Sequence, residues 1–125
     1  MQAAILLAKL EVYEDELAAR QRVAQKYDAL LGELVKTPYI LPENYSVHAI
    51  YTIQVKHRDT LRKYLTQKGI PTAVHYPKPV YMQPGFLHLG YQQGDFPICE
   101  KVASEVLSLP MHPYLTDTQI QLIAE

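Results

Sequence analysis

Residues 3–31 carry a helical hydrophobic period longer than a chain of this size can enclose in one compact body. Apolar residues recur at Ala3, Leu6, Leu10, Tyr13 and Leu17, and again at Ala24, Tyr27 and Leu31, in the steps of three and four that share one helix face. Glu14-Asp15-Glu16 and Arg20-Gln21-Arg22 supply the wet face, with Glu16 and Arg20 at an i,i+4 spacing. Gly32 is the expected C-cap, and Thr37-Pro38 forbids much continuation. About 30 helical residues would reach roughly 45 Å. A compact domain of 125 residues has a radius of gyration of about 14 Å and a diameter of roughly 35 Å. The helix must therefore kink, with Glu14-Asp15 the expected place, or overhang the globule. Its most apolar stretch, Ala3 to Ala8, has no N-cap residue ahead of it. An apolar helix without a start suggests a neighbour that is missing.

The remainder reads as a small α+β unit. Residues 38–46 are a Pro-punctuated connector. A strand is expected over His48–Lys56, with Ala49, Tyr51, Ile53 and Val55 on one face and Ile50, Thr52, Gln54 and Lys56 on the other. Asp59 is the expected cap of a helix through Leu61, Tyr64 and Leu65 to Lys68, closed by Gly69 at C′. Residues 71–75 are short and extended, and residues 77–95 read as a loop with one helical turn near Phe86. Asp95 is expected to cap a third helix with Pro97 in its first turn and Val102, Val106 and Leu107 facing inward. Ser108-Leu109-Pro110 is a brief strand, and Thr116-Asp117-Thr118-Gln119 fits the capping box of a last helix. The expected fold class is α+β: a long linking helix over residues 1–36, then a small sheet covered by helices over residues 37–125.

Charge and composition exclude several functions. Twelve basic residues against thirteen acidic ones, with no block of one sign, argue against a nucleic-acid or anionic-membrane surface. No apolar run approaches the roughly 20 residues of a membrane span, and none has the flanks of a signal peptide. A single cysteine, Cys99, excludes an internal disulfide and fits a reducing compartment, so the cytoplasm is the expected location. None of the five histidines (48, 57, 75, 88 and 112) pairs with another ligand at zinc spacing. There is no Gly-x-Ser-x-Gly elbow and no Gly-rich phosphate loop. Cys99, inside a predicted helix, reads as a buried structural thiol rather than a nucleophile. Ten tyrosines and nine prolines fit a module that forms interfaces.

The segment Val74-His75-Tyr76-Pro77-Lys78-Pro79-Val80-Tyr81-Met82-Gln83-Pro84 stands apart. Its prolines fix the backbone at three points and display the groups between them with little entropic freedom. His donates and accepts hydrogen bonds, and Tyr offers a flat ring with a polar tip, a combination suited to a sugar or nucleotide. Two readings stand: a ligand-contact segment, or a Pro-rich turn whose His and Tyr satisfy local backbone groups. Lys78, between two prolines, is expected to be solvated rather than a Schiff-base nucleophile.

Taken in order, several motifs resemble the C-terminal portion of the DegT/DnrJ/EryC1/StrS family of pyridoxal-phosphate (PLP)-dependent sugar aminotransferases. They are Gln2 to Leu10, Arg20…Ala24…Tyr27…Leu30, Tyr51-Thr52, Gly69-Ile70-Pro71-Thr72, His75-Tyr76-Pro77, Gln83, Gly94-Asp95-Phe96-Pro97…Glu100 and Leu107-Ser108-Leu109-Pro110-Met111-His112-Pro113. The resemblance covers essentially the whole chain. It implies the small C-terminal α+β domain of a fold-type-I aminotransferase, joined through a long helix to a large PLP domain that this chain lacks. It further implies a dimer with the site at the subunit interface, and transfer of an amino group from glutamate or glutamine to a nucleotide-linked keto sugar. His75 and Tyr76 match the segment that approaches the sugar nucleotide, and Gln83 is a further substrate-contact candidate. The internal-aldimine lysine and the phosphate-binding residues belong to the large domain, so no catalytic or cofactor-binding residue is assigned here and no PLP is expected on this chain alone. Family members often carry His before the loop Gln where this chain has Tyr81, a departure that bears on sugar specificity. The lysine position that separates aminating from dehydrating members lies outside the chain.

A different class remains beside this one: a stand-alone binding or oligomerisation module that uses the exposed helix face and the tyrosines. Either way the apolar face around Ile5, Leu6 and Leu7 is expected to drive self-association into a homo-oligomer, because large apolar patches rarely stay open on soluble monomers.

Overall fold

A computed structural model describes residues 2–125 as five α-helices, two short strands and two 3-10 turns. The expected long helix is two helices, α1 (Gln2–Leu10) and α2 (Tyr13–Leu31). The break falls at Glu11-Val12 rather than at Glu14-Asp15. Glu14, Asp15 and Glu16 occupy the first turn of α2, where carboxylates favour the positive end of the helix dipole. The acidic run marks a helix start, not the middle of one.

The two helices differ in what they cover. Val23, Ala24, Tyr27 and Leu31 of α2 are buried, whereas α1 buries none of its residues. Ile5, Leu6, Leu7 and Leu10 are 57, 62, 66 and 62 % exposed. Gly32 ends α2 in right-handed helical geometry, its N–H donating to the Asp28 carbonyl at 2.9 Å.

The sheet is β1 (Tyr51–Gln54) antiparallel to β2 (Val106–Leu109), in the register Tyr51 opposite Leu109 and Ile53 opposite Leu107. These four side chains face the core. On the other face Thr52 Oγ1 and Ser108 Oγ lie 2.8 Å apart. Single bridges extend both edges, Lys36 to Gln54 and Ala73 to Ser108. The strand expected over His48–Lys56 is thus shorter at both ends. His48 sits at φ 43°, a left-handed turn that redirects the chain before pairing begins, and β2 offers only four residues to pair with. The extended piece expected at residues 71–75 contributes only the Ala73 bridge.

α3 (Arg58–Gln67) ends in a Schellman motif. Ile70 N–H reaches the Leu65 carbonyl at 2.9 Å and Gly69 N–H the Thr66 carbonyl at 3.0 Å, with Gly69 at φ 74° and both Ile70 and Leu65 buried. Asp59 does not cap it. The N-cap is His57, and Asp59 lies in the first turn with its carboxylate 2.6 Å from Arg58 Nε. Nor does Asp95 cap α4 (Pro97–Glu105): Phe96 holds that place, and Asp95 Oδ2 accepts the Gln92 N–H at 2.8 Å. α4 buries Ala103, while Val102 is exposed and Val106 and Leu107 belong to β2. α5 (Asp117–Ala124) opens on the expected capping box, Gln119 N–H to Thr116 Oγ1 at 3.3 Å and Thr116 N–H to Gln119 Oε1 at 2.9 Å.

The core gathers α2, the inner sheet face, Leu65, Ile70, Leu115 and Ile120, each such side chain contributing about 1.5–3 kcal/mol by leaving water. Its buried phenols are partnered: Tyr27 donates to the Pro110 carbonyl at 2.9 Å, and its ring lies 4.9 Å from that of Tyr51.

Candidate functional site

The Schellman turn delivers the chain to Ala73, whose N–H and C=O both bond to Ser108 at 3.1 and 2.8 Å. His75 follows two residues beyond that anchor. It lines a cleft of about 250 Å³ with Ile50, Pro71, Thr72, Ser108 and Met111 among its walls. Tyr76 projects beside it, 70 % exposed, the two rings 6.0 Å apart and nearly perpendicular. Among the described residues no hydrogen bond ties either side chain to the local backbone. Both are therefore held out on a fixed backbone with their hydrogen-bonding groups open.

Gln83 is half-buried between two 3-10 turns, Val80–Met82 and Pro84–Leu89. Its N–H donates to the Val80 carbonyl and its C=O accepts from Phe86 N–H, so its backbone holds the loop. Of the three expected contact residues only His75 lines this cleft; Tyr76 lies beside it as its chain neighbour, and Gln83 is not among the cleft's walls. Thr72 is, and the sequence reading did not single it out as a site residue. Its Oγ1 is buried and has no hydrogen-bond partner among the described residues. Burial at that position depends on the Ala73–Ser108 bridge, a long-range contact with no local signature.

The loop is held from α4. Tyr81 O–H donates to Glu100 Oε1 at 2.5 Å, and Gly94 N–H donates to the same oxygen at 2.7 Å. Tyr81, Tyr91 and Phe96 pack as an aromatic trio, with centroids 4.9 Å apart for Tyr81–Phe96 and 5.0 Å for Tyr91–Phe96. Desolvation, then the Glu100 carboxylate, pushes the Tyr81 phenol up to about 12. The Tyr81 hydroxyl, then the Gly94 N–H, holds the Glu100 carboxyl below the usual range. The polar end of Tyr81 is thus taken up by α4.

A second cleft, of about 430 Å³, lies between α2 and the 37–48 connector, with Gln21, Asp28, Tyr39, Asn44, Tyr45 and His48 on its walls. It is larger than the His75 cleft, but none of the expected ligand residues reaches it. His48 is buried there, which lowers its imidazole below the ordinary value, with Asp28 opposing the shift.

Cys99 is exposed on α4, against the expected buried thiol; the inward face of that short helix is occupied by Ala103. Lys78 is exposed, as its two flanking prolines suggest. Lys26, the lysine most engaged with the fold, is ion-paired with Asp117. Among the described residues no three His, Cys, Asp or Glu side chains cluster as metal ligands, and no helix is long and apolar enough to cross a membrane.

Solved structures that match this arrangement include aminotransferases. A DegT DnrJ EryC1 StrS aminotransferase from Brucella abortus superposes with a TM-score of 0.90 at 41% identity, over 98% of this chain and 33% of that one. DesV of S. venezuelae, determined with a ketimine intermediate, superposes with a TM-score of 0.93 at 32% identity, over 99% of this chain and 34% of the other. In sequence, the UDP-2-acetamido-2-deoxy-3-oxo-D-glucuronate aminotransferase of Pseudomonas aeruginosa is 44% identical across 98% of this chain and 34% of its own length. The chain belongs to the DegT/DnrJ/EryC1/StrS aminotransferase family, which matches residues 1–125. It spans about a third of the length of the curated relatives it matches.

Proposed function

We propose that this chain is the C-terminal, substrate-side portion of a cytoplasmic, dimeric PLP-dependent aminotransferase. The enzyme would move an amino group from glutamate or glutamine onto a nucleotide-linked keto sugar. The observation that carries this reading is the match itself, nearly all of this chain against one third of aminotransferases at 41 and 44% identity. The chain's own share is contact with the substrate and support of the subunit interface, while the cofactor and its lysine come from the rest of the enzyme.

In this reading the His75 imidazole meets sugar or phosphate oxygens from the mouth of its cleft. The Tyr76 ring offers a stacking face with a hydroxyl at its edge. Gln83 adds an amide that both donates and accepts. What supports these roles is the open, partner-free display of His75 and Tyr76 on a backbone fixed by Ala73 on one side and Pro77 on the other.

The test places His75→Ala and Tyr76→Phe in the full-length enzyme. Both should raise KM for the nucleotide sugar while the PLP spectrum stays as in the parent. Unchanged kinetics in both would make the segment structural only. Separately, the 125-residue chain mixed with PLP and borohydride should show no stoichiometric lysine adduct by mass spectrometry; one specific adduct would overturn the placement of the cofactor site outside this chain.

A further inference from the structure

We propose that Glu100 is a positioning residue for substrate recognition, clasping the loop that follows His75 and Tyr76 so that those two side chains are presented in one arrangement. The inference rests on the reading of His75 and Tyr76 as substrate contacts.

One carboxylate oxygen closes both ends of the loop. Glu100 Oε1 accepts the Tyr81 phenol at 2.5 Å and the Gly94 N–H at 2.7 Å, so the fourteen residues from 81 to 94 are gathered onto a single atom of α4. Charged acceptors make the shorter and stronger hydrogen bonds, and a carboxylate has the lone pairs to take two donors on one oxygen. Gly94 stands at φ 100°, a conformation side chains resist, which aims its N–H at the carboxylate. The aromatic trio of Tyr81, Tyr91 and Phe96 packs beneath the clasp, and Phe96 is itself the N-cap of α4. The loop is therefore tied through the buried Tyr81 and its contacts with the more exposed Tyr91 and Phe96 to the helix that leads directly into β2.

The clasp reaches the ligand groups through a strut. Between Tyr76 and the first 3-10 turn lie Pro77, Lys78 and the buried Pro79, the last at φ −50° and ψ 147°. Pro79 holds this conformation with little slack, and the chain bends just before it at Pro77-Lys78. At the strut's other end Ala73 is bonded to β2. Residues 74–80 are thus held between β2 and the Tyr81–Glu100 contact, and loosening the second anchor frees Tyr76 while leaving the sheet intact.

The 125-residue chain and the full-length enzyme together provide the test. In the chain, Glu100→Ala should move the Gly94 amide resonance and lower the pH at which Tyr81 ionises; if both stay as in the parent, there is no clasp and the inference fails. In the enzyme, Glu100→Ala should raise KM for the keto-sugar nucleotide roughly tenfold, with the glutamate half-reaction unchanged. Glu100→Gln, which keeps an acceptor at the same place, should restore most of the loss. A fold-wide effect would depress both half-reactions together and would not be rescued by Gln, and that result overturns the proposal. Should Glu100→Ala not fold, Glu100→Gln and Tyr81→Phe carry the same measurements, with a smaller KM rise expected for each. If KM is unmoved by Glu100→Ala but raised by His75→Ala, positioning is wrong and the substrate reading stands. If neither variant moves KM, both fall.

Discussion

The Tyr51 phenol donates to Asp28 Oδ1 across 2.5 Å, joining the first residue of β1 to the last turn of α2. Tyr51 is fully buried while Asp28 is exposed. Burial first, and the Asp28 carboxylate after it, push the phenol far above its ordinary value. Tyr51→Phe keeps the ring and leaves a carboxylate that water can reach, so the loss should be about 1 kcal/mol. Tyr51→Ala also opens a cavity against Tyr27 and should cost roughly 3–5 kcal/mol. Urea unfolding of the two variants separates these outcomes; equal losses would show that the hydrogen bond, not the ring, dominates.

Asp117 and His48, each in contact with residues of α2, contribute to how acid weakens the fold. Asp117 is held below the usual carboxylate range, by Lys26 first and by Arg22, whose Nη1 lies 2.7 Å from Oδ1. Its folded value is depressed, so its contribution is complete above the unfolded carboxylate value of about 3.9 and disappears as pH falls through the folded one. His48 is depressed by burial, so the unfolded chain binds its proton more readily, and stability drops as pH falls below the ordinary histidine value of about 6.5. Thermal melts across pH should therefore show two steps. Asp117→Asn should shrink the lower step, to which the depressed Glu100 carboxyl also contributes, and leave the upper one; an imidazole of His48 titrating at or above the ordinary value by NMR would contradict the upper one.

Of the four α-helices whose N-cap is described, α2 to α5, only α5 has a capping side chain that makes a cap bond, that of Thr116. Thr116→Ala loses both halves of the capping box and should cost about 1 kcal/mol, whereas Asp59→Ala and Asp95→Ala, at positions that do not cap, should not show a cap-sized loss through their helices. Chemical denaturation of the three variants checks the ranking.

That ranking also shows what was legible in the residues. Thr116-x-x-Gln119 and Gly69 act through backbone groups within three or four positions, so their roles followed from local order alone. Asp59 and Asp95 look like caps by the same rule, yet a cap is decided by where the backbone leaves helical geometry, and that point is set by packing of the neighbouring turns. The length of β1 was not readable because β2, more than fifty residues away, supplies only four partners. The proline frame singled out residues 74–84 but left a ligand-contact segment and a structural turn both open, and His75 and Tyr76 came forward as candidates through the family resemblance. The unpartnered Thr72 hydroxyl and the Tyr81–Glu100 contact, nineteen residues apart, needed the folded chain. The exposure of Cys99 likewise follows from α4 being short, with Ala103 as its buried residue.

The exposed face of α1 gives the last prediction. Ile5, Leu6, Leu7 and Leu10 stand in solvent on a helix that buries nothing and carries Lys9 as its single charged side chain. Burying even half of such a face returns about 25 cal/mol for each Å² removed from water, so two copies of the 125-residue chain should associate through it. Sedimentation equilibrium should give a mass above that of the monomer, rising with concentration. Leu6→Glu with Leu10→Glu should return a monomer whose melting temperature is otherwise preserved, since neither side chain contributes to the core formed by α2, the sheet and α5. A parent chain that stays monomeric at high concentration with α1 still helical would show that this face is tolerated in water. Under the proposed reading, the same double variant in the full-length enzyme should instead lower stability or dimer content, and unchanged values there would show that nothing else in that enzyme covers this face.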